Sequence, residues 1–166
     1  SGVSHSQVTQ RNVGVDVPDF ASGLRAALRQ HPTIILVGEI RDPESAVTAL
    51  HAASSGHLVF ASMHTNTASS SIARLCGLLP SSSRVAMLAD LAEALRVCVC
   101  QKLYRSPEGG RSGVFEVMVS SDGVRNVIRN DSLHQLDGQI EMDRSYGSIL
   151  MKRSIDDAIL ERRIVT

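Results

Sequence analysis

The apolar positions in the first half of the chain switch repeatedly between a helical and a strand-like period. From Asp19 to Gln30, Phe20, Leu24, Ala27 and Leu28 recur at helical spacing, opening near Asp16 or Pro18 and closing at His31-Pro32. This predicts an amphipathic helix. Ile34-Ile35-Leu36-Val37 then forms a continuous apolar run between Pro32 and Gly38, which predicts a strand buried on both faces. Pro43 stands where a helix accepts proline in its first turn, and Ser45 to Ser55 follows with small apolar residues. Leu58 to Ala61 reads as a second buried strand, and Thr67 to Leu79 as a third helix. Helices alternating with short buried strands are the pattern of a parallel α/β sheet.

The second half reads differently. Ser81 to Leu95 is expected to be helical, with Ser81 to Ser83 as candidate N-caps and Val85, Leu88, Leu91, Ala92 and Leu95 on one face. Val97 to Leu103 and Ser112 to Val119 have strand composition, with Gly109-Gly110 between them, and predict an antiparallel hairpin. Three shorter helical patterns follow, at Asp122 to Arg129, Leu133 to Glu141 and Ser148 to Arg162. The expected organisation is an α/β unit over 1–119 and a smaller C-terminal helical layer over 120–166.

Composition narrows the function classes. At 166 residues, 43% hydrophobic and 20% charged, the chain is long enough for one compact core. Three Phe, two Tyr and no Trp supply a poor stacking platform for single-stranded nucleic acid. Lys plus Arg and Asp plus Glu stand at 17 each, and the balance holds on either side of Ser83, so no half steers towards a phosphate polymer or an anionic membrane. No apolar stretch has transmembrane length and no charged-then-apolar leader opens the chain, so membrane association is expected through a partner. Ser1 to Gln7 shows no helix of its own, as in a sub-fragment or a processed chain. Cys76, Cys98 and Cys100 lack the paired spacings of a zinc site and are read as reduced, mostly core cysteines.

Two stretches carry candidate chemistry. Ile34 to Asp42 is an apolar strand running into Gly38-Glu39-Ile40-Arg41-Asp42, which would present the Glu39 carboxylate at the carboxyl edge of the sheet, where α/β folds bind ligands. Such a carboxylate can hold a magnesium-bound water or orient an attacking one; a plain surface glutamate fits the same pattern. In Gly56 to Thr65, His57 and His64 bracket the second strand, about 20 Å apart if fully extended, which makes them poor partners on one metal. His64 would lie beside the Glu39 strand end, where an imidazole can donate to a phosphate oxygen or serve a structural role.

Together the stretches resemble the secretion ATPase superfamily of type II secretion, type IV pili and conjugation machines. Leu24-Arg25 through Leu28-Arg29 and Pro32 match its arginine-rich segment, Gly38 to Asp42 its Walker B strand, and Gly56 to Thr65 its His box. Gln101-Lys102-Leu103 and Gly123 to Arg129 continue the match over nearly the whole chain. The resemblance implies a partial RecA-like sheet, ATP and Mg2+ as cofactors, a homo-hexamer and an inner-membrane platform protein as partner, in a cytoplasmic protein held peripherally at the membrane. Nucleic-acid binding and direct membrane insertion are not expected. Glu39 would act on magnesium through water and on the attacking water, His64 would approach the γ-phosphate, and His57 would brace the His box. Arg25 and Arg29 would serve subunit contacts or be solvated charges. Arg125 and Asn126 would couple hydrolysis to the partner or merely start a helix. Arg41 and Asp42 are read as fixing the loop after the strand, each through a plain salt bridge.

The departures carry expectations too. No Gly-x-x-x-x-Gly-Lys-Ser/Thr occurs in the chain, and the family's phosphate cradle would lie ahead of residue 1. Without it these residues are expected not to hydrolyse ATP, and the sheet to show an exposed apolar edge. The four-cysteine zinc loop of export-class relatives is missing. The Cys98 to Leu103 segment, Glu116 and the ending around Ile155 to Val165 lean towards the type IVB secretion and plasmid-transfer branch, beside the pilus-retraction branch. Two other readings stay open: a non-catalytic assembly module that binds the secretion platform, and an unrelated α/β hydrolytic or metal enzyme using Glu39, His57 and His64.

Overall fold

The structure, a computed structural model, describes residues 6–165, so the expectation for 1–5 lies outside them. The elements run α1 (Phe20–Leu28), β1 (Ile34–Val37), α2 (Pro43–Ser54), β2 (Leu58–Ala61), α3 (Ala68–Gly77), α4 (Arg84–Ala94), β3 (Val97–Arg105), β4 (Arg111–Val119), α5 (Asp122–Arg129), α6 (Leu136–Met142) and α7 (Met151–Leu160). Short 3-10 turns precede α4 and flank α6. β1 and β2 pair in parallel from Ile34 opposite Leu58 to Val37 opposite Ala61. β3 and β4 pair antiparallel from Val97 opposite Val119 to Arg105 opposite Arg111. The expected α/β class, with a parallel pair, a hairpin and a helical C-terminal layer, is therefore the observed one.

Local chemistry sets the boundaries. Asp19, rather than Asp16 or Pro18, caps α1: its carboxylate accepts from the Ser22 amide at 2.7 Å, whereas that of Asp16 accepts from the Asn12 amide at 2.8 Å. Thr67 caps α3 in a reciprocal box with Ser70. Ser81 to Ser83 supply no side-chain cap to α4; they wind into a 3-10 turn that runs straight into the helix. Val85 also departs from the expected buried face and is 82% exposed, because the packed face of α4 is drawn by Met87, Leu88, Leu91 and Ala92. Gly109 and Gly110 take φ of 93° and 74° at the hairpin tip, a region that favours glycine.

The largest core lies among α3, α4, α5 and α6 beneath β4, with Ile72, Leu88, Met118, Ile128, Leu136 and Ile140 at 2% exposure or less. The layer after residue 120 thus shares its core with the elements before it. A second core packs Leu24 of α1 and Ala46, Ala49 and Ala52 of α2 against Ile35 and Val37. Cys76 and Cys100 are buried, and burial pushes the thiol of Cys76 up to about 11 and that of Cys98 up to about 12, which keeps both protonated at neutral pH.

The strands of the parallel pair are covered on one face, which corrects the expectation of two. Ile35 and Val37 point into the helices, while Ile34, Leu36, Leu58 and Phe60 are 57%, 79%, 47% and 51% exposed. The reason is geometric: alternate side chains leave opposite faces, and among the described residues the helices packed on this pair reach just one of them.

Asp42 carries a testable consequence. It caps α2, accepting from the Ser45 amide at 2.8 Å and the Ser45 hydroxyl at 2.7 Å, and these bonds hold its carboxyl below the ordinary aspartate value. A depressed folded value means the cap stabilises fully above the unfolded value and is lost as pH falls through the folded one, below about pH 4. Asp42→Ala is expected to lose about 0.5–2 kcal/mol at neutral pH. Asp42→Asn, which still caps, should keep neutral stability and show a shallower acid loss; urea melts across pH measure both.

Candidate functional site

Parallel pairing in register brings the ends of β1 and β2 to one mouth. Glu39 follows β1 by two residues and His64 follows β2 by three. The ladder extends past the strands through the Ile40 amide donating to the Ser62 carbonyl at 3.0 Å, and the Ser62 hydroxyl donates to the Gly38 carbonyl. With both loops pinned, His64 Nε2 stands 3.3 Å from Glu39 Oε1. The other carboxylate oxygen of Glu39 meets Arg41 Nη2. The Glu39 side chain is 19% exposed, while Arg41 and His64 are 72% and 81% exposed, so the mouth opens to solvent on the side of the cation and the imidazole.

The electrostatics follow from that geometry. The hydrogen bond from Arg41 is the main cause that lowers the Glu39 value, and the charges of Arg41, His64 and Arg74 add to it against the opposing effect of burial. Glu39 is thereby held as a carboxylate, an acceptor at neutral pH. Arg74 of α3 donates from Nη1 to the His64 carbonyl at 3.1 Å, which fixes the backbone that carries the imidazole. Such a carboxylate beside an exposed imidazole suits contact with a hydrated divalent cation, where oxygen donors are preferred. Among the described residues no group of three or more His, Cys, Asp and Glu gathers to hold a metal directly.

The remaining sequence-selected residues lie elsewhere. His57 sits at the opposite end of β2, with Nδ1 3.1 Å from the Ala52 carbonyl and 3.1 Å from the Ser55 hydroxyl. It fastens the turn from α2 into β2, where Gly56 takes φ of 98°, and does not share the mouth with Glu39. Arg25 pairs with Glu44 of α2 at 2.8 Å, and Arg29 is the exposed residue that ends α1. Arg125 reaches Asp122 at 3.3 Å with its Nε buried and unpartnered among the described residues, and Asn126 accepts from the Asn130 amide group at 3.1 Å. Arg41 forms the salt bridge expected of it, with Glu39, whereas Asp42 has no cationic partner among the described residues and is instead the α2 cap, because its carboxylate is taken by the Ser45 amide and hydroxyl.

The sequence expectations assign no role to two further residues, Arg74 beside this site and Glu116 outside it. Arg74 acts on a backbone carbonyl, a contact no side-chain motif announces. Glu116 was noted for its resemblance alone, yet it alternates with Val114 and Met118 on the inward face of β4, and a charged residue in an apolar register is the informative exception.

Parallel strands that end in an acid and an imidazole at one mouth define an α/β protein with polar groups gathered at the sheet edge where such folds bind ligands. The chain belongs to the type II/IV secretion system protein family, whose model matches residues 1–162. It is 39% identical over 140 residues to the type IV pilus retraction ATPase PilT of Pseudomonas aeruginosa, covering 84% of this chain and 41% of that protein. The crystal structure of the pilus retraction motor PilT with bound ADP superposes with a TM-score of 0.84 at 36% identity, over 95% of this chain and 44% of that one. The Legionella pneumophila ATPase DotB gives 0.80 at 28% identity, over 91% of this chain and 41% of that one. The chain spans less than half the length of the curated relatives it matches.

Proposed function

We propose that the whole protein is an ATP-driven motor of a secretion or type IV pilus machine, in which these residues supply the hydrolytic edge of the nucleotide site. The observation that carries this reading is the 3.3 Å approach of His64 to Glu39 across neighbouring parallel strand ends. Glu39 would accept the proton of the attacking water and, through a water, would hold the Mg2+ that accompanies the nucleotide. Bound Mg2+ supplies charge neutralisation at the phosphates. His64 donates towards the transferring phosphoryl group, and Arg74 holds it in place through its carbonyl. Arg41 keeps Glu39 ionised. His57 braces the far end of the same strand.

Homo-hexamer assembly, with Arg25 and Arg29 near subunit contacts, and docking on an inner-membrane platform through Arg125 and Asn126 complete the proposal. Among the described residues no helix is long and apolar enough to cross a membrane. Identities of 36–39% to the pilus-retraction relatives against 28% to DotB favour the retraction branch over the type IVB branch to which the motifs leaned.

ATP turnover by the full-length protein, and its loss on Glu39→Gln, tests the reading; full turnover in that variant would overturn it. The 166 residues by themselves are expected to show no turnover above a Glu39→Gln control, because they contain no glycine-rich loop with its lysine to fix the phosphates. A magnesium-dependent phosphate release by them that Glu39→Gln abolishes would refute that expectation.

A further inference from the structure

Glu116 is 2% exposed, and its carboxylate is met by backbone amides on both sides. The Ala68 amide donates to Oε1 at 2.5 Å and the Met151 amide to Oε2 at 2.9 Å. Ala68 is the first residue of α3 and Met151 the first residue of α7. One acid on β4 therefore receives the leading amides of two helices that are far apart in sequence. Neither helix supplies this from its own cap: Thr67 of α3 serves the Ser70 amide, and Leu150, which precedes α7, has no side-chain acceptor. A negative charge at two helix amino termini is favourable for both.

Each arm leads somewhere specific. α3 holds the His64 loop twice more, through Arg74 on the His64 carbonyl at 3.1 Å and through Ser71, whose hydroxyl lies 2.5 Å from that of Thr65. α7 is hooked to the same strand by Val117 and Ile149, which exchange amide-to-carbonyl bonds of 2.9 and 2.8 Å. Through Glu116 the first residue of α7 is thus bonded to the same carboxylate as the first residue of α3, the helix that holds the backbone of His64.

We propose that Glu116 is a positioning residue that couples the seat of α7 to the His64 loop, so that the C-terminal layer sets the geometry beside Glu39. Its effect on turnover rests on the motor reading above; its effect on the loop does not. Glu116→Gln keeps the volume and one acceptor but turns an amide donor towards the other helix, so it can hold one arm and not both.

The test is made on the full-length protein, comparing wild type, Glu116→Gln and Glu116→Asp. Glu116→Gln is expected to speed amide exchange across 62–71 by about tenfold or more, the size of a lost charge-assisted bond. The kcat for ATP, expressed per folded protein counted by nucleotide-binding titration so that any unfolded fraction drops out, should fall by about tenfold with KM within about twofold. Glu116→Asp retains the charge at shorter reach and should show the same signs to a smaller extent; it carries the test should the Gln variant not fold. Faster exchange confined to the start of α7, with 62–71 and kcat unchanged in a folded variant, overturns the coupling. Absence of ATP turnover in wild type refutes the motor reading, while exchange at 62–71 still decides the coupling.

Discussion

Full-length protein carrying Glu39→Gln is expected to retain its fold and its hold on nucleotide while its kcat for ATP falls by about 10²–10⁴-fold, the usual contribution of a positioned general base. The amide matches the carboxylate in shape, so the loops after β1 and β2 stay where the Ile40–Ser62 bond puts them. What changes is charge: Arg41 loses its anionic partner, and no group at residue 39 accepts a proton. Because the Arg41 bond depresses the Glu39 value, wild-type activity should not decline through loss of this carboxylate until well into acid, below the ordinary glutamate range. Steady-state phosphate release together with nucleotide binding by fluorescence separates the two terms. A variant that loses binding as much as kcat would move Glu39 from chemistry to structure.

The largest effect on stability is expected from Ile128→Ala. Ile128 is fully buried, on the face of α5 that packs against α4, and belongs to the core that also holds Leu88, Met118 and Leu136. Removing its branched side chain loses transfer energy and leaves a cavity that the surrounding helices fill in part, at a cost of about 2–5 kcal/mol. Val85→Ala on the neighbouring helix serves as the comparison. At 82% exposure it should stay within about 0.5 kcal/mol of the unchanged protein. Urea unfolding of both variants gives the difference directly, and a small effect at Ile128 would show that α5 is not integral to the core.

The elements were legible because their signals are local. The Ile34 to Val37 run, the Gly109-Gly110 turn and the spacing of Leu88, Leu91 and Ala92 each depend on a few neighbouring side chains. So was the pairing of Glu39 with His64, since strand order and a parallel register place two strand ends side by side once the helix between them is known. Coverage was not legible. Whether Ile34 and Leu36 are buried depends on which distant helices reach their face, and an apolar run reads the same with one face packed or two. The caps divide the same way: Thr67 with Ser70 is a motif, but the choice of Asp19 over Asp16 turns on which carboxylate the backbone aims at Ser22. Arg74 and Glu116 act on main-chain atoms contributed by remote segments, a relation that sequence spacing does not encode.

The half-covered parallel pair has a bearing on how the protein would work as a machine. The strands that end at Glu39 and His64 present four large greasy side chains on their open side, within a few residues of the carboxylate and the imidazole. An element that covered that side in the whole protein would remove those side chains from water directly behind the carboxylate and the imidazole, so its packing would add hydrophobic support to the strands that carry them.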